Sequence, residues 1–390
     1  MADTKVIPLL DLRREYEYMK DEIDNAIRRC LDHQKWILGP EVKELEERVA
    51  QYTGVEHCIG VSSGTDALVL SLRALAIKLK GREYFDSTDQ IITTPFTFTA
   101  TGDAILRAGA TPVFVDIDPR TYNIDPRRIR DYLSRSSELD AQNSKAVGVI
   151  PVHLYGQSCD MGRIMEIAQE HDLFVIEDVA QAFGGMWGGK KLGSFGTAGA
   201  FSFFPSKNLG GFGDGGMVST ADGEVAELVR MLLKHGGRDK YNVDHVGYNM
   251  RLDTLQASIL LVKLKFVDRL NRLRRATAEA YQVRLANIPG LMLPTSLPDA
   301  YHVYHQYTVS TETREELQRH LTDRGIATMV YYPCPLHKMK VFGGRSVRGG
   351  ALVGAELASS SVLSLPHGPF VEEAEISSII GAMKEFQRCS

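Results

Sequence analysis

A single lysine separates a strand-like apolar run from a glycine-rich loop in Phe201-Ser-Phe-Phe-Pro-Ser-Lys207-Asn-Leu-Gly-Gly-Phe-Gly-Asp-Gly-Gly216. The backbone turns sharply in such a segment, so a lysine there has little room to lie on a solvated face. Lysine is also rarely buried without a chemical reason. Two interpretations stay open from these residues alone: an amine made nucleophilic by a lowered pKa in a dry pocket, or a surface lysine at a turn.

Around this lysine, residues 55–220 alternate short apolar runs with helical patterns, which predicts an α/β fold with a mostly parallel central sheet and helices on both faces. A helix over Thr65–Leu79 is apolar nearly all the way round and should pack deep against that sheet. The candidate strands are Glu56–Val61, Gln90–Thr94, Thr111–Asp116, Ala146–Val152 and Leu173–Glu177.

The pattern changes after Met250, where one long amphipathic helix, straight or kinked, is expected over Arg251–Tyr281 with Asp253 as its cap. The segments that follow are a strand His302–Thr311, a helix Arg314–Arg324, a strand Ile326–Tyr332 and a closing helix Val371–Phe386. We therefore expect a large α/β domain over residues 1–250, whose N-terminal segment can pack on the small domain, and a small C-terminal α+β domain over 251–390.

Composition excludes several classes of protein. The 390 residues carry 45 Lys+Arg against 49 Asp+Glu, a formal charge of −4, so nucleic acid is not an expected partner. No apolar stretch approaches the ~20 residues that span a bilayer and no leader is recognisable, which predicts a cytoplasmic protein without a membrane partner. The five scattered cysteines contain no C-x-x-C pair, so no metal site is expected.

Two carboxylates, Glu177 and Asp178, end a buried strand at the sheet edge where α/β proteins bind ligands. Neighbouring strand residues point to opposite faces, so only one of them can reach a given pocket. Such a carboxylate could hold a ring nitrogen protonated, bind magnesium, or cap the next turn.

A third signal is Val61-Ser62-Ser63-Gly64-Thr65-Asp66-Ala67, where a predicted strand passes through glycine into a helix. The free N–H groups and dipole of a helix N-terminus make a phosphate cradle, although an N-cap serving only the helix is the alternative. The glycines at 184–189 resemble a P-loop but lack the Ser or Thr that binds magnesium, and no G-x-G-x-x-G opens a helix, so a nicotinamide enzyme is disfavoured.

Together, a phosphate cradle, an acid for a ring nitrogen and a lysine amine are the three groups that pyridoxal phosphate requires. The same chain contains Leu38-Gly-Pro-Glu-Val, Gly60-Val-Ser-Ser-Gly-Thr-Asp-Ala-Leu, Val152-His-Leu-Tyr-Gly-Gln, Ile176-Glu-Asp-Val-Ala-Gln, Phe201-Ser-Phe-Phe-Pro-Ser-Lys-Asn-Leu and Gly247-Tyr-Asn-Met-Arg-Leu-Asp. In that order these motifs resemble the DegT/DnrJ/EryC1/StrS family of sugar aminotransferases, pyridoxal-phosphate enzymes of the aspartate aminotransferase fold (fold type I).

The resemblance implies a role for each matching residue. Lys207 would bind the cofactor covalently and catalyse, Asp178 would pair with the pyridine nitrogen, and Gln181 would lie near the ring hydroxyl. The remaining cofactor contacts would be Gly64, Thr65 and Ser202 at the phosphate, Phe98 stacked on the ring, and Asn249 reaching the phosphate from a second subunit. The substrate contacts would be Arg251, from that same neighbour, with Tyr331 and Tyr332. The active site would then lie at the interface of a homodimer.

The implied reaction moves an amino group, with L-glutamate as the expected donor, to a keto sugar carried by a nucleotide diphosphate, for a surface polysaccharide or a glycosylated metabolite. The motifs favour a UDP-linked 3-keto sugar, including a 2-acetamido uronate. The alternatives are a 4-keto sugar aminotransferase, a pyridoxal-phosphate-dependent sugar dehydratase and a catalytically idle regulatory relative. Two departures from the family pattern, Phe183 and the insertion-like stretch Lys78–Ser87, are candidates for altering substrate choice.

Overall fold

An eight-stranded sheet forms the centre of the larger part of the chain. The computed structural model describes residues 6–136, 144–239 and 241–389. The strands are β1 (His57–Val61), β2 (Asp89–Thr93), β3 (Thr111–Phe114), β4 (Lys145–Val149), β5 (Phe174–Asp178), β6 (Met186–Trp187), β7 (Lys190–Lys191), β8 (Ala198–Ser202), β9 (Gly216–Thr220), β10 (Ala300–Tyr301), β11 (Tyr307–Ser310), β12 (Val347–Arg348) and β13 (Val362–Leu365). The five candidate strands correspond to β1 to β5 with ends shifted by a few residues.

The order in the large sheet is β1-β9-β8-β5-β4-β2-β3-β12. Strand β9 runs antiparallel to β1 and β8, and the other neighbours pair in parallel. The predicted α/β fold with a mostly parallel sheet is therefore confirmed. Parallel strands end at a common edge, so β5 and β8 bring residues 178 and 202 to the same side of the molecule.

Helices cover both faces of this sheet. They are α1 (Leu12–His33), α2 (Pro40–Thr53), α3 (Gly64–Lys80), α4 (Thr99–Arg107), α5 (Pro126–Ser136), α6 (Met161–Glu170), α7 (Gly223–Leu232), α8 (Thr254–Leu264), α9 (Val267–Leu285), α10 (Arg314–Thr322), α11 (Val353–Ser361) and α12 (Glu373–Cys389). Helices α3, α4 and α7 share one apolar core with the sheet, and α2, α5, α6 and α8 share the other. Helix α3 is buried nearly all round, as its sequence predicts.

The glycine-rich residues 184–191 form a hairpin rather than a phosphate loop. Strands β6 and β7 pair antiparallel, and Gly188 and Gly189 connect them with φ of 55° and 80°. Positive φ at both turn residues is what a two-residue hairpin with the right-handed strand twist needs, and glycine supplies it without strain.

The long helix expected after residue 250, straight or kinked, is interrupted at Lys265 and Phe266, so the chain forms two helices, α8 and α9. The N–H groups of Lys265 and Phe266 bond to carbonyls three residues back, at 3.2 and 3.0 Å, which tightens the last turn of α8 and ends it. Asp253 is the N-cap residue of α8, as predicted, but its side chain makes no capping hydrogen bond.

A second, smaller core lies beyond these helices and contains β11, β13, α10, α12 and the end of α9. Ile7 near the N-terminus packs in the same core and pairs with Ile326. The division of the chain at residue 250 stays a prediction, and residues 1–5, which bear on the expected lack of a leader, lie outside the described residues. Within the described ranges no helix has the length and apolar character needed to cross a bilayer.

Two predicted strands of this region were wrong or too long. Residues 326–332 form only single bridges, Ile326 with Ile7 and Met329 with Ser364, because their partners lie in different segments. Strand β11 covers only Tyr307–Ser310 of the expected His302–Thr311, since the chain turns at Tyr304, where φ is 44°. Both departures occur where the chain lines the cavity described next.

Candidate active site

One cavity of about 440 Å³ lies at the edge of the sheet where β5 and β8 end. It is bounded by the start of α3, the start of α4, the loop after β8 and two segments of the C-terminal part of the chain. Of the residues expected in the site, the cavity brings together Gly64, Thr65, Phe98, Asp178, Gln181, Ser202, Lys207, Tyr331 and Tyr332.

Lys207 extends from the turn after β8 into this cavity. Its backbone N–H donates to the carbonyl of Phe204 at 2.8 Å, which closes the turn immediately before the glycine-rich loop. The residue is half-buried, and burial of its amine lowers the pKa of Lys207 to about 8, against the opposing effect of the Asp178 carboxylate. An amine with that pKa has an appreciable neutral fraction near pH 7, so it can act as a nucleophile or a base.

Asp178, at the end of β5, is buried in the wall of the cavity. One carboxylate oxygen accepts a hydrogen bond from Thr101 Oγ1 at 2.8 Å, and the other accepts from the N–H of Ala180 at 3.1 Å. Burial raises the pKa of Asp178, although these bonds and the nearby charge of Lys207 oppose the rise. A fixed, buried carboxylate of this kind suits a cationic ring nitrogen.

Glu177 points to the opposite face of β5, which confirms the alternation expected for these two carboxylates. Its oxygens accept from the N–H groups of Gly193, Phe195 and Gly196 at 2.8, 2.7 and 3.0 Å. His153 lies 3.2 Å away, with its Nδ1 accepting from the N–H of Cys159, so Nε2 is the nitrogen that donates to Glu177. Glu177 thus ties β5 to the segment that enters β8.

The start of α3 forms a cradle beside Lys207. The Ser63 side chain caps the helix by accepting from the N–H of Asp66 at 3.1 Å, so the capping interpretation of this motif holds. The N–H groups of Gly64 and Thr65 belong to the first turn, which has no carbonyl partners within the helix. A Cβ on Gly64 would lie 2.6 Å from Ser202 Cβ, so glycine permits helix and strand to meet here.

These residues fit pyridoxal phosphate. The cradle of Gly64, Thr65 and Ser202 suits a phosphate, Asp178 suits the ring nitrogen and Lys207 suits the aldehyde. Phe98 lies at the start of α4 with 56% of its surface exposed, so its ring is free to stack on a bound ring. The fit to pyridoxal phosphate is specific because each group of the cofactor has a chemically matching residue, and not only because the cavity has a suitable shape.

Gln181, Tyr331 and Tyr332 close the cavity from the other side. Gln181 Nε2 donates to the Tyr332 hydroxyl at 2.9 Å, and Gln181 Oε1 accepts from the N–H of Tyr155 at 2.8 Å. The Tyr155 hydroxyl donates to the carbonyl of Tyr331. The amide orientation of Gln181 is therefore set by a backbone donor, and Tyr332 is held in place through it.

Asn249 and Arg251 lie outside the cavity of their own chain. Asn249 is exposed and pairs through its backbone with Lys234, and Arg251 pairs with Val61. Phe183 also lies outside it, buried in a stack with Tyr52 at 5.3 Å between ring centroids. Its direct influence on substrate choice, expected from the sequence, has no support in this position.

Thr101 and His305 are site residues that the sequence analysis missed. Thr101 lies close to Phe98 in the sequence, but only the turn of α4 reveals that it faces Asp178.

His305 lines the cavity. Its burial and the nearby charge of Lys207 hold its pKa well below the ordinary value. The Phe183 carbonyl accepts from Asn271 at 3.1 Å. Asn208 Nδ2 then donates to Asn271 at 2.7 Å and Asn208 Oδ1 lies 3.1 Å from His305 Nδ1, which makes Nδ1 the protonated nitrogen.

Fold and site together define a pyridoxal-phosphate-dependent enzyme of the aspartate aminotransferase fold, with a lysine and a buried aspartate at the carboxyl edge of a mostly parallel sheet. The sequence pattern of the DegT/DnrJ/EryC1/StrS aminotransferase family matches residues 17–384. The chain belongs to that family and is a sugar-nucleotide aminotransferase.

Similar proteins carry several names. A Geobacillus stearothermophilus chain called a pleiotropic regulatory protein is 44% identical over 98% of this chain and 99% of its own. The UDP-N-acetyl-3-dehydro-alpha-D-glucosamine 3-aminotransferase of Acidithiobacillus ferrooxidans is 42% identical over 97% of both chains. The dTDP-3-amino-3,4,6-trideoxy-alpha-D-glucose transaminase of Streptomyces venezuelae is 40% identical over 99% of this chain and 97% of its own. The UDP-2-acetamido-2-deoxy-3-oxo-D-glucuronate aminotransferase of Pseudomonas aeruginosa is 39% identical over 97% and 99%.

Solved structures agree with this assignment. Streptomyces venezuelae DesV, in complex with a ketimine intermediate, superposes with a TM-score of 0.89 at 40% identity, over 98% of both chains. Bacillus subtilis NtdA with bound cofactor PMP superposes with a TM-score of 0.85 at 29% identity, over 100% of this chain and 86% of that chain. Both structures are named for forms of the cofactor that the cavity fits.

Proposed function

We propose that the enzyme transfers an amino group from L-glutamate to C3 of a nucleotide-linked 3-keto sugar, with a UDP-linked 2-acetamido sugar, including a uronate, as the favoured acceptor. The observation that carries the reaction type is the meeting of Lys207 and Asp178 in one cavity beside the Gly64 cradle. The position of amination is supported by the three similar transaminases, whose names all place the amino or keto group at C3.

Lys207 has two tasks in this reaction. Pyridoxal phosphate, when bound, supplies an aldehyde that takes up the amino group and a ring that withdraws electrons from the neighbouring carbon. Lys207 would hold the cofactor before substrate arrives, and its freed Nζ would then serve as the base and the acid that moves the proton during transfer. Its pKa of about 8 suits both directions of that transfer near neutral pH.

Asp178 and its partners keep the electron-withdrawing ring in place. The carboxylate would hold the ring nitrogen as a cation, and Thr101 and Ala180 fix the carboxylate so that it cannot rotate away. Phe98 would cover one face of the ring. The ring is thus held at an edge and a face through both halves of the reaction.

We further propose that the working unit is a homodimer in which each cavity is completed by Asn249 and Arg251 of the other chain. Neither residue lines the cavity of its own chain, although Arg251 is paired with Val61 beside the cradle. Trp36, Ile37 and Leu38, each close to half exposed, border this segment through the pairing of Ile37 with Asp253. Adjacent exposed apolar side chains of this kind are typical of an interface.

A panel of substrates tests the acceptor. UDP- and dTDP-linked 3-amino and 4-amino sugars would be incubated with 2-oxoglutarate, and the glutamate formed in this reverse direction would be measured by mass spectrometry. We expect glutamate from 3-amino sugars, most from the UDP-linked 2-acetamido compounds. Glutamate from 4-amino sugars alone would overturn the C3 proposal, and loss of the 3- or 4-amino group as ammonia, without formation of glutamate, would identify a dehydratase.

Complementation tests the dimer. Lys207→Ala chains, inactive alone, and Arg251→Ala chains, which should have little activity at nucleotide-sugar concentrations well below their raised KM, would be co-expressed with different tags and assayed at such a concentration. If sites are shared, a mixed dimer has one intact site and one doubly defective site. About half of the dimers are mixed at equal expression, so about a quarter of wild-type activity should return. Lys207→Ala with Asp178→Asn is the matched control and should restore none, because both residues serve the same chain's site. Equal failure of both pairs would overturn the shared site.

A further inference from the structure

Arg73, on the inner side of α3, is fully buried and contacts two segments that are far apart in sequence. Its Nη2 lies 2.7 Å from Glu83 Oε2 and 3.0 Å from the carbonyl of Val246, and Nη1 donates to the Tyr248 hydroxyl. The Nε donates to the backbone carbonyl of Glu83, and the ring of Tyr84 lies 3.8 Å from the guanidinium carbon. The planar fork of arginine suits such a multiple junction.

Glu83 extends this junction to the surface. Its Oε1 lies 2.8 Å from His245 Nδ1, and its Oε2 also accepts from the N–H of Val246 at 3.2 Å. Glu83 belongs to the stretch Lys78–Ser87, which looked like an insertion from the sequence and to which no catalytic role was assigned. Through Arg73, Glu83 and His245 this stretch is tied to residues 245–248.

The same residues lead directly into the segment that would serve the other subunit. The N–H of Tyr248 donates to the Leu232 carbonyl at 2.7 Å, and the N–H of Met250 donates to the Leu233 carbonyl at 3.0 Å. The Met250 carbonyl accepts from the N–H of Ser62 at 3.0 Å, next to the cradle. The backbone on both sides of residue 249 is therefore fixed, and the side chain of Asn249 is exposed.

We propose that Arg73, Glu83 and His245 are positioning residues that hold the segment 245–251 so that Asn249 and Arg251 reach the diphosphate-bearing substrate and the cofactor phosphate of the neighbouring subunit. This inference rests on the shared site of the proposed function. None of the three residues lines the cavity, so they act through the segment and not on the reacting atoms. The sugar nucleotide, rather than the small amino donor, is the substrate whose binding depends on them.

The test uses the cofactor-loaded enzyme with Glu83→Gln and His245→Gln, which remove a charge or a bond without changing size greatly. We expect faster hydrogen–deuterium exchange in peptides spanning 244–251 and a KM for the nucleotide sugar raised about tenfold, as the loss of one charge-assisted hydrogen bond allows. The rate and KM of the glutamate half-reaction should stay unchanged. Arg82→Gln is the matched control, because Arg82 lies in the same loop but pairs with Asp86, and it should change none of these.

Arg251→Ala, measured in parallel, separates two kinds of failure. If Arg251→Ala leaves the KM for the nucleotide sugar unchanged, the shared site is wrong and the inference falls with it. If Arg251→Ala raises that KM while Glu83→Gln and His245→Gln change neither KM nor exchange, the positioning role alone is overturned. A uniform rise in exchange over the whole chain, or an equal rise in both KM values, would show general destabilisation and would also overturn it.

Discussion

Replacing Gly64 with alanine tests whether the close approach of α3 and β8 is what allows a phosphate to bind. The added Cβ would lie 2.6 Å from Ser202 Cβ and 3.1 Å from Ser202 Cα. Carbon atoms rest at about 3.5–4.0 Å, so the helix start and the strand end must separate by roughly 1 Å. Because Gly64 does not occupy the left-handed region, the cost comes from this contact and not from the backbone.

Overpacking of this kind costs about 1–3 kcal/mol. The displaced N–H groups of Gly64 and Thr65 are those assigned to the phosphate, so we expect the loss to fall mainly on cofactor binding. The Kd for pyridoxal phosphate should rise by about 5- to 150-fold. The measurement is a visible-absorbance titration of enzyme that has been stripped of cofactor. Gly381→Ala in α12, where an added Cβ meets nothing within 4 Å, is the control and should leave Kd unchanged.

A second substitution, at Ser202, tests whether contact with this residue causes the loss of cofactor affinity in Gly64→Ala. Ser202→Gly removes the Cβ that the new methyl group meets most closely and leaves the 3.1 Å contact with Cα, so the Gly64→Ala and Ser202→Gly double variant should bind cofactor nearly as well as Ser202→Gly alone. Wild-type affinity in Gly64→Ala would refute the reasoning. So would a double variant that is weaker than Ser202→Gly by the full factor seen for Gly64→Ala on its own.

Three further outcomes are expected. Lys207→Ala should lose both the visible absorbance of cofactor-loaded enzyme and all turnover. The control Lys190→Ala, on the β6–β7 hairpin, should keep both. A Lys207→Ala protein that still transaminates would contradict the assignment of Lys207 as the catalytic lysine. Asp178→Asn should keep cofactor by absorbance but lose most of the rate in stopped-flow traces, since an amide cannot hold the ring nitrogen as a cation; an unimpaired rate would assign that task to another group. The rate of cofactor uptake by stripped enzyme should rise with pH through a midpoint near 8. The reason is that the neutral amine of Lys207 attacks the cofactor aldehyde, and burial lowers the pKa of Lys207 to about 8. A midpoint near the ordinary lysine pKa would contradict a buried environment for this amine.

The sheet was predictable from the sequence because its strands are short, apolar and separated by clear helical patterns. The opposite orientation of Glu177 and Asp178 followed from the period of a strand alone. The end of α8 was not predictable, since apolar residues continue across Lys265 and Phe266 without proline or glycine and only tertiary packing ends the helix there. The false strand at 326–332 has the same cause, because alternation predicts an extended chain but not whether one partner strand exists for all of it.

The cavity residues expected to contact the cofactor could be predicted from the sequence for a similar reason. Gly64 and Asp178 lie at the start of a helix and the end of a strand, where the fold class predicts convergence, whereas Ser202 was expected in the site only from the family resemblance. Thr101 and His305 were missed because their orientation depends on a helix turn and on a bend at residue 304. The roles of all the predicted site residues toward cofactor and substrate stay predictions, and those of Arg251, Tyr331 and Tyr332 also depend on a second chain or on the substrate.

Glu177 and Lys207 also indicate how this protein can change over evolutionary time. The bonds of Glu177 to Gly193, Phe195 and Gly196 join two strands and involve none of the reacting groups. Substitution at Lys207 would leave those bonds intact, whereas substitution at Glu177 would leave buried N–H groups without an acceptor. The reaction can therefore be lost in one step while the folded protein and its cavity persist. Because different residues stabilise the fold and carry out the reaction, such a protein can acquire a non-catalytic function without a change of fold.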